Sequence, residues 1–286
     1  MANIRDVRRR IRSARNIQQI TRAMKFVSAA RLRKAQERVI AARPYAQQML
    51  AVLNSLAMRV PQQSHPLLAQ RDGRNIELIV ITADKGLCGS YNTNILKHAI
   101  EFIVEHASAA VELNILGKRG RDFFRRRSYS VRHEAIHVLQ AVSFADAAAI
   151  ARDVIEEFVQ ERKDNVWLLY NEFKSVVQQR VVVEPLLPIR RLPGLREEHA
   201  VEYLYDEPPE HIFKNLLPRH VESQVFRALL EAAASEQGAR MTAMDAATKN
   251  ASEMIESLTI HANKVRQAGI TKELIEVVSG AAAAGS

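Results

Sequence analysis

Residues 32–56 read LRKAQERVIAARPYAQQMLAVLNSL, and the spacing of Leu32, Ala35, Val39, Ala42, Ala46, Met49, Leu53 and Leu56 within them decides the architecture. The intervals alternate between three and four, the repeat by which one helix lays a narrow apolar seam against another. Upstream, Ile4, Val7, Ile11, Ala14, Ile17, Ile20, Met24 and Val27 carry a similar stripe with one slip of phase. No Gly interrupts the stretch from Arg5 to Ala57, and its one Pro is Pro44. That residue lacks an amide donor and predicts a kink or a join. A helix of about 55 residues would be about 80 Å long, longer than a compact domain of this size is wide, so it is expected to project.

The other end behaves alike. From Arg219 to Val278 there is no Pro, and Val221, Val225, Ala228, Ala232, Ser235, Ala239, Thr242 and Ala246 alternate four and three. Ala247, Ala251, Met254, Leu258, His261, Val265 and Ala268 follow one position out of phase. Small seam residues let backbones approach closely, and two long helices with narrow stripes most simply pair antiparallel. Between them lie strands at 76–82, 111–116, 131–138, 165–172 and 176–185, with helices at 92–105, 118–126 and 144–163 among the first four. That alternation implies a mostly parallel sheet with helices on it. The expected fold class is α/β: a long antiparallel coiled coil of the terminal helices plus a central Rossmann-like domain. The boundaries are 1–57 for the first helix, 70–190 for the central domain, 191–209 for a Pro-rich connector and 210–286 for the last helix.

With 26% charged and 47% hydrophobic residues among 286, the chain is ordered and core-forming, which excludes disordered and collagen-like classes. One Cys excludes a disulfide scaffold and multi-thiolate zinc modules and suggests a reducing compartment. No run reaches the roughly 18 residues of a membrane-spanning helix; the best, Ile76 to Ala83, contains Glu77. Residues 1–43 hold 13 Lys and Arg against Asp6 and Glu37, whereas the rest of the chain is nearly neutral. Basicity this local fits either a solvated helix face or an acidic partner, and on charge alone a coiled-coil nucleic-acid-binding protein using the first helix stays open. Its affinity would fall steeply with salt.

Chemistry-bearing motifs are few. Thr82-Ala83-Asp84-Lys85-Gly86-Leu87-Cys88-Gly89-Ser90 is a glycine-bearing turn after a strand, but it has neither dinucleotide nor phosphate-loop spacing. Cys88, near a helix start, could have a lowered thiol pKa, although a passive buried thiol is the simpler reading. His133-Glu134-Ala135-Ile136-His137 matches a zinc-protease motif, with Glu157 as a third ligand, yet the motif works only on a helix. On a strand the two His lie about 13 Å apart. Lys118, Arg119, Arg121, Arg125, Arg126 and Arg127 form a basic cluster without an aromatic platform, which reads as a solvated face. No catalytic group, cofactor or metal site is expected.

Ile270-Thr271-Lys272-Glu273-Leu274-Ile275-Glu276-Val277-Val278-Ser279-Gly280-Ala281 resembles the C-terminal signature of the gamma subunit of F-type ATP synthases. Arg10-Ile11 to Arg33-Lys34, with Gln19-Ile20-Thr21-Arg22-Ala23-Met24-Lys25, is similar to the same family. So are Asp84 to Gly89 and Ser235-Glu236-Gln237-Gly238-Ala239-Arg240-Met241-Thr242-Ala243-Met244. The resemblance covers essentially the whole chain. It implies a non-catalytic rotor shaft inside a hexameric ring of alpha and beta subunits, with an α/β foot meeting the epsilon subunit and the membrane ring of c subunits. It further implies that Met24, Lys25 and Arg240 face mobile beta-subunit loops, that Gln267, Thr271 and Glu273 make the upper ring contact, and that Tyr203 and Tyr205 sit over the c ring. Bottom-up, a lone cation such as Arg240 on an Ala-rich helix is expected to serve interaction rather than packing.

A bacterial member is implied, peripheral at the cytoplasmic face of the plasma membrane and touching the membrane only through its partners, with no nucleic acid bound. The chloroplast insert with its Cys pair is missing. Ile17 replaces a usually polar residue, and Gly238 and Gly269 stand where better helix formers are commoner, each at a cost of about 1 kcal/mol.

Overall fold

The computed structural model describes residues 4–57, 65–176, 178–189 and 208–284. Two long helices, α1 (Ile4–Ala57) and α5 (Pro209–Ala284), flank the central elements. The chain divides into two compact units, Met1–Val27 with Met241–Ser286 and Ser28–Arg240, so each long helix contributes to both. Neither helix is broken at its internal proline: α1 continues through Pro44, and α5, which starts within one residue of the expected position 210, continues through Pro218. The expected join at Pro44 is absent because one lost amide bond is a local defect in a helix held along its length by packing.

In the first unit α1 and α5 run antiparallel. Lys25 Nζ donates to Asp245 at 2.6 Å, Thr248 Oγ1 to Thr21 Oγ1 at 2.8 Å, and Gln18 Nε2 to Ser252 Oγ at 2.7 Å, so positions fall along α1 as they rise along α5. The seam differs from the expected one. Ile17, Ile20 and Val27 are all more than half exposed, and Ile4, Val7, Ile11, Ala14, Gln18, Thr21, Met24 and Lys25 are the buried or half-buried positions. Continuing the three-four spacing past Ala14 lands on 18, 21 and 25, so the helix keeps its phase and polar residues enter the seam. On α5 the covered positions include Met244, Ala247, Thr248, Ala251, Ile255, Leu258, Ala262 and Val265, while Thr242, Ala246, Met254 and His261 are exposed. The slip on α5 therefore comes earlier than the apolar residues alone suggest.

The second unit centres on a five-stranded sheet of order β3-β2-β1-β4-β5. Its strands are β1 (Asn75–Ile81), β2 (Ala110–Leu116), β3 (Val131–Ala135), β4 (Asn165–Phe173) and β5 (Gln179–Leu187). Helices α2 (Tyr91–Glu105), α3 (Lys118–Arg125) and α4 (Phe144–Val159) link the first four, which are mutually parallel, and β5 returns antiparallel to β4. The expected strand 131–138 ends at Ala135, since His137 takes a left-handed φ of 67° and caps a short 3-10 turn at Val138–Gln140. β1 is buried at six of its seven positions, as its continuous apolar run and central place require. Leu78, Val80, Ile95, Leu113, Ile115, Phe124 and Leu169 form the core between sheet and helices, each contributing roughly 1.5–3 kcal/mol by leaving water. α1 and α5 line a common cavity through Val39, Ala42, Tyr45, Ser223, Phe226 and Leu230. Of the expected seam here, Leu32, Val39, Met49, Leu53, Val221, Val225, Ala228, Ala232 and Ser235 are buried; the side chains of Ala46 and Leu56 lie outside the described residues.

Candidate functional site

In a doubly wound sheet, ligands bind where the strand order reverses, beyond the carboxyl ends of the strands. Here the reversal lies between β1 and β4, since the chain steps from β1 through β2 to β3 and then crosses back to β4. The crevice is filled by α5 of the same chain. Tyr91 Oη, after β1, donates to the Ala232 carbonyl at 3.2 Å, and Ser235 Oγ donates to the Asn171 carbonyl of β4 at 2.9 Å. Asn171 Nδ2 reaches the Tyr91 carbonyl at 3.4 Å, and Ala239 packs on the sheet core. Gly238 lies against Phe173, whose ring carbon would be 3.4 Å from an added Cβ, which gives this glycine a packing reason.

The glycine-bearing loop is equally committed. Asp84 Oδ1 accepts the backbone N–H of Lys118 at 3.0 Å, placing a carboxylate at the start of α3, and also accepts that of His137 at 3.1 Å. The chain's own anion thus occupies the place a phosphate would seek. Gly117, at φ +114°, allows the tight passage beneath: a Cβ there would lie 2.1 Å from the Thr82 carbonyl oxygen. Cys88 is buried, and burial raises its thiol pKa, so the passive reading holds over the reactive one. His133 Nδ1 lies 3.2 Å from Asn114 Oδ1 and His137 Nδ1 lies 3.5 Å from Asp84, and among the described residues no group of three or more metal-ligating side chains converges.

Arg240 is not the lone cation on an Ala-rich helix that the sequence suggests. It is buried, donates to Glu236 Oε1 at 2.6 Å and reaches the Gly86 carbonyl at 3.5 Å. Burial raises the Glu236 pKa despite the neighbouring guanidinium, so the pair holds a carboxylate that water no longer solvates. The i, i+4 spacing of Glu236 and Arg240 is visible in the sequence; the loop that buries them is not.

Met24 and Lys25 are half-buried, and Lys25 holds the Asp245 carboxyl below its usual pKa through their hydrogen bond. A partly exposed pair of this kind contributes at most about 1 kcal/mol. Gln267, Thr271 and Glu273 are exposed on α5, with Thr271 Oγ1 donating to the Gln267 carbonyl at 3.0 Å. They begin 22 residues beyond Asp245, about 33 Å along the helix, so these two groups are separate surfaces. Arg240 belongs to the other unit, and Tyr203 and Tyr205 lie outside the described residues.

A family model described as ATP synthase matches residues 3–284. An ATP synthase gamma chain of Solibacter usitatus is 52% identical over 288 residues, covering 99% of this chain and 100% of the relative. One from Geobacter sp. is 46% identical, with 98% of each chain covered. Among solved structures, a chain of the Tetrahymena thermophila mitochondrial ATP synthase central stalk and c-ring aligns with a TM-score of 0.60 at 28% identity, covering 80% of this chain and 99% of that one. A chain of the Euglena gracilis mitochondrial enzyme shares the fold, with a TM-score of 0.69 at 19% identity over 98% of this chain and 94% of that one.

Proposed function

The chain belongs to the ATP synthase gamma family, and we propose that its paired helices act as the shaft of that rotary enzyme and its α/β domain as the handle. It is a non-catalytic central rotor component that mechanically couples ion flow through the membrane c ring to ATP synthesis and hydrolysis in the catalytic ring. The relatives lend no support to the nucleic-acid-binding alternative.

One observation carries the mechanical reading: in the first unit polar pairs share the seam with Val7, Ala14, Met244 and Ala251, while large apolar side chains stand outside it. Gln18 meets Ser252, Thr21 meets Thr248 and Lys25 meets Asp245 between the helices, while Ile17, Ile20, Phe26, Val27, Ile270, Leu274, Ile275, Val277 and Val278 are all more than half exposed. Exposed apolar surface of this extent marks a contact surface, and a two-helix unit has little core of its own. A sleeve of partner subunits removes that surface from water.

Within that arrangement Met24, Lys25 and Arg240 bear on mobile loops of the beta subunits, Gln267, Thr271 and Glu273 on the upper part of the ring, and Tyr203 and Tyr205 on the c-ring and epsilon side. The epsilon subunit is a further partner of the α/β domain. No helix among the described residues is long and apolar enough to cross a membrane. The complex sits peripherally at the cytoplasmic face of the bacterial plasma membrane, and the chain meets the membrane through its partners. Only an interaction whose free energy differs between rotor angles can link rotation to nucleotide affinity at distant sites. Lys25, half committed to Asp245, is free enough to make such an interaction.

The test is purification through a tag on this chain, with ATP hydrolysis and ion pumping measured side by side in membrane vesicles. The chain is expected to bring down nucleotide-hydrolysing subunits in excess of itself, and Lys25→Glu to lower the ions pumped per ATP without unfolding the chain. Recovery of the chain alone or with nucleic acid refutes the shaft, and unchanged pumping refutes the role of Lys25.

A further inference from the structure

Unit Ser28–Arg240 holds a hollow that the shaft reading does not use. It is a cavity of about 570 Å³ between α1, the start of α4 and α5, within the range that accommodates a small organic molecule. Val39 and Ala42 form one wall, and Phe226 and Leu230 the facing one. Phe144 closes the side, edge-to-face with Phe226 at 5.5 Å between ring centres. Such walls favour a flat apolar body.

The polar groups sit at the two ends. At one end Arg227 is already engaged, 2.6 Å from Glu184 and 3.9 Å from Glu231. At the other, Arg219 is exposed and has no ion pair among the described residues, with the buried Ser223 one turn along α5 on the same face. Arg219 and Glu231 are twelve residues apart, about 18 Å along the helix. That exceeds the screening length of about 8 Å at physiological salt, so the distant carboxylate does not oppose an anion at Arg219. The site therefore offers an apolar slot with, at its mouth, a guanidinium that has no ion pair among the described residues.

We propose that this cavity binds an elongated amphipathic anion, its aromatic or alicyclic body lying along α5 against Phe144 and Phe226 and its carboxylate or sulfonate on Arg219. The site is independent of rotor function, since none of its residues is among those assigned to the ring contacts.

The probe is 8-anilinonaphthalene-1-sulfonate, a naphthalene body with one sulfonate, titrated by fluorescence into the full chain and into the assembled complex. One saturable site is expected in both. Ala42→Trp, which fills the slot, should abolish it. Arg219→Gln, at an exposed position that leaves the fold intact by circular dichroism, should weaken it about tenfold or more, as the loss of one charge-assisted hydrogen bond implies. The uncharged N-phenyl-1-naphthylamine should bind more weakly and be indifferent to Arg219→Gln. Unsaturable binding, sulfonate binding unchanged by Arg219→Gln, or equal affinity for the neutral probe overturns the anion site. Binding to the chain alone but not to the complex shows that a partner subunit covers the cavity, and overturns the proposal as well.

Discussion

Replacing Arg240 by Met removes the guanidinium that Glu236 faces inside the α/β unit while keeping a side chain of similar length. Both side chains are only 8% exposed, so water cannot take the place of the lost cation. Glu236 then has one cheap escape, which is to hold a proton. For a carboxyl whose unfolded pKa is 4.5, staying protonated in the folded state at pH 7 costs about 3.4 kcal/mol, at 1.36 kcal/mol per pH unit. At pH 5.5 the same cost is about 1.4 kcal/mol. The first value agrees with the roughly 3–5 kcal/mol lost when one partner of a buried pair is removed. The sign follows from linkage: an acid whose folded pKa is raised binds more protons folded than unfolded, so stability falls as pH rises above the unfolded value. Arg240→Met should thus destabilise the chain by about 3 kcal/mol at pH 7 in urea unfolding and recover most of that loss at pH 5.5. Adding Glu236→Gln should recover it at both. A loss of equal size at the two pH values, or none, refutes the claim that Arg240 is held by an internal pair. In the complex the double variant also separates roles: restored pumping places the effect in this chain, and a persisting defect points to a contact with another subunit.

Three further outcomes follow from the geometry. Arg132 donates to the fully buried Glu77 at 2.6 Å and also holds Asp153, whose pKa it lowers; Arg132→Met should therefore cost about 3–5 kcal/mol in urea unfolding, and a loss under 1 kcal/mol would show Glu77 finds other partners. Gly117→Ala places a Cβ 2.1 Å from the Thr82 carbonyl at a φ of +114° and should prevent accumulation of soluble chain, whereas Gly269→Ala meets nothing within 4 Å and should stabilise its helix by about 1 kcal/mol, read by amide exchange. Cysteines at Gln18 and Ser252, in a Cys88→Ser background, should cross-link within one chain on oxidation; cross-links only between chains would refute the antiparallel register.

The two long helices and the alternating centre are legible in the sequence because periodicity reports which face must be covered. The seam of the first unit is not, because it follows the helical phase and not the distribution of hydrophobic residues. Ile17, Ile20 and Val27 look like core, and Gln18, Thr21 and Lys25 do not, yet the constant helical phase exposes the first set and joins the second to Asp245, Thr248 and Ser252. A helix made to turn against other chains violates the local rule that apolar residues face inward, and such violations gather at functional surfaces. Arg240 fails for a different reason. Its partner Glu236 is four residues away and readable, but its burial depends on the loop at Gly86, some 150 positions distant, which only the fold brings to it. The sequence around His137 reads as strand, but the capping demand of Asp84, which accepts the His137 N–H, ends the strand two residues earlier, at Ala135.

The filled crevice explains how a sheet architecture associated with ligand binding serves here without one. Three features usually leave room for a phosphate at such a place: a glycine turn, an open helix N-terminus and an empty switch point. In this chain Asp84 supplies the anion to α3, Asn92 Oδ1 accepts the Ala83 N–H at 3.0 Å before α2, and α5 occupies the switch point through Ala232, Ser235 and Ala239. The elements that flank the crevice instead hold the helix, by hydrogen bonds on both sides of the reversal and by the reach of Arg240 to the Gly86 carbonyl at the loop. A helix fixed at the start of α2 and at β4 together cannot roll on the sheet without breaking contacts to two elements at once. Contacts to one element alone would act as an axis about which the helix could pivot; contacts to two prevent the pivot. The domain is thereby converted from a binding module into a grip on α5, the property a handle needs and a nucleotide site does not.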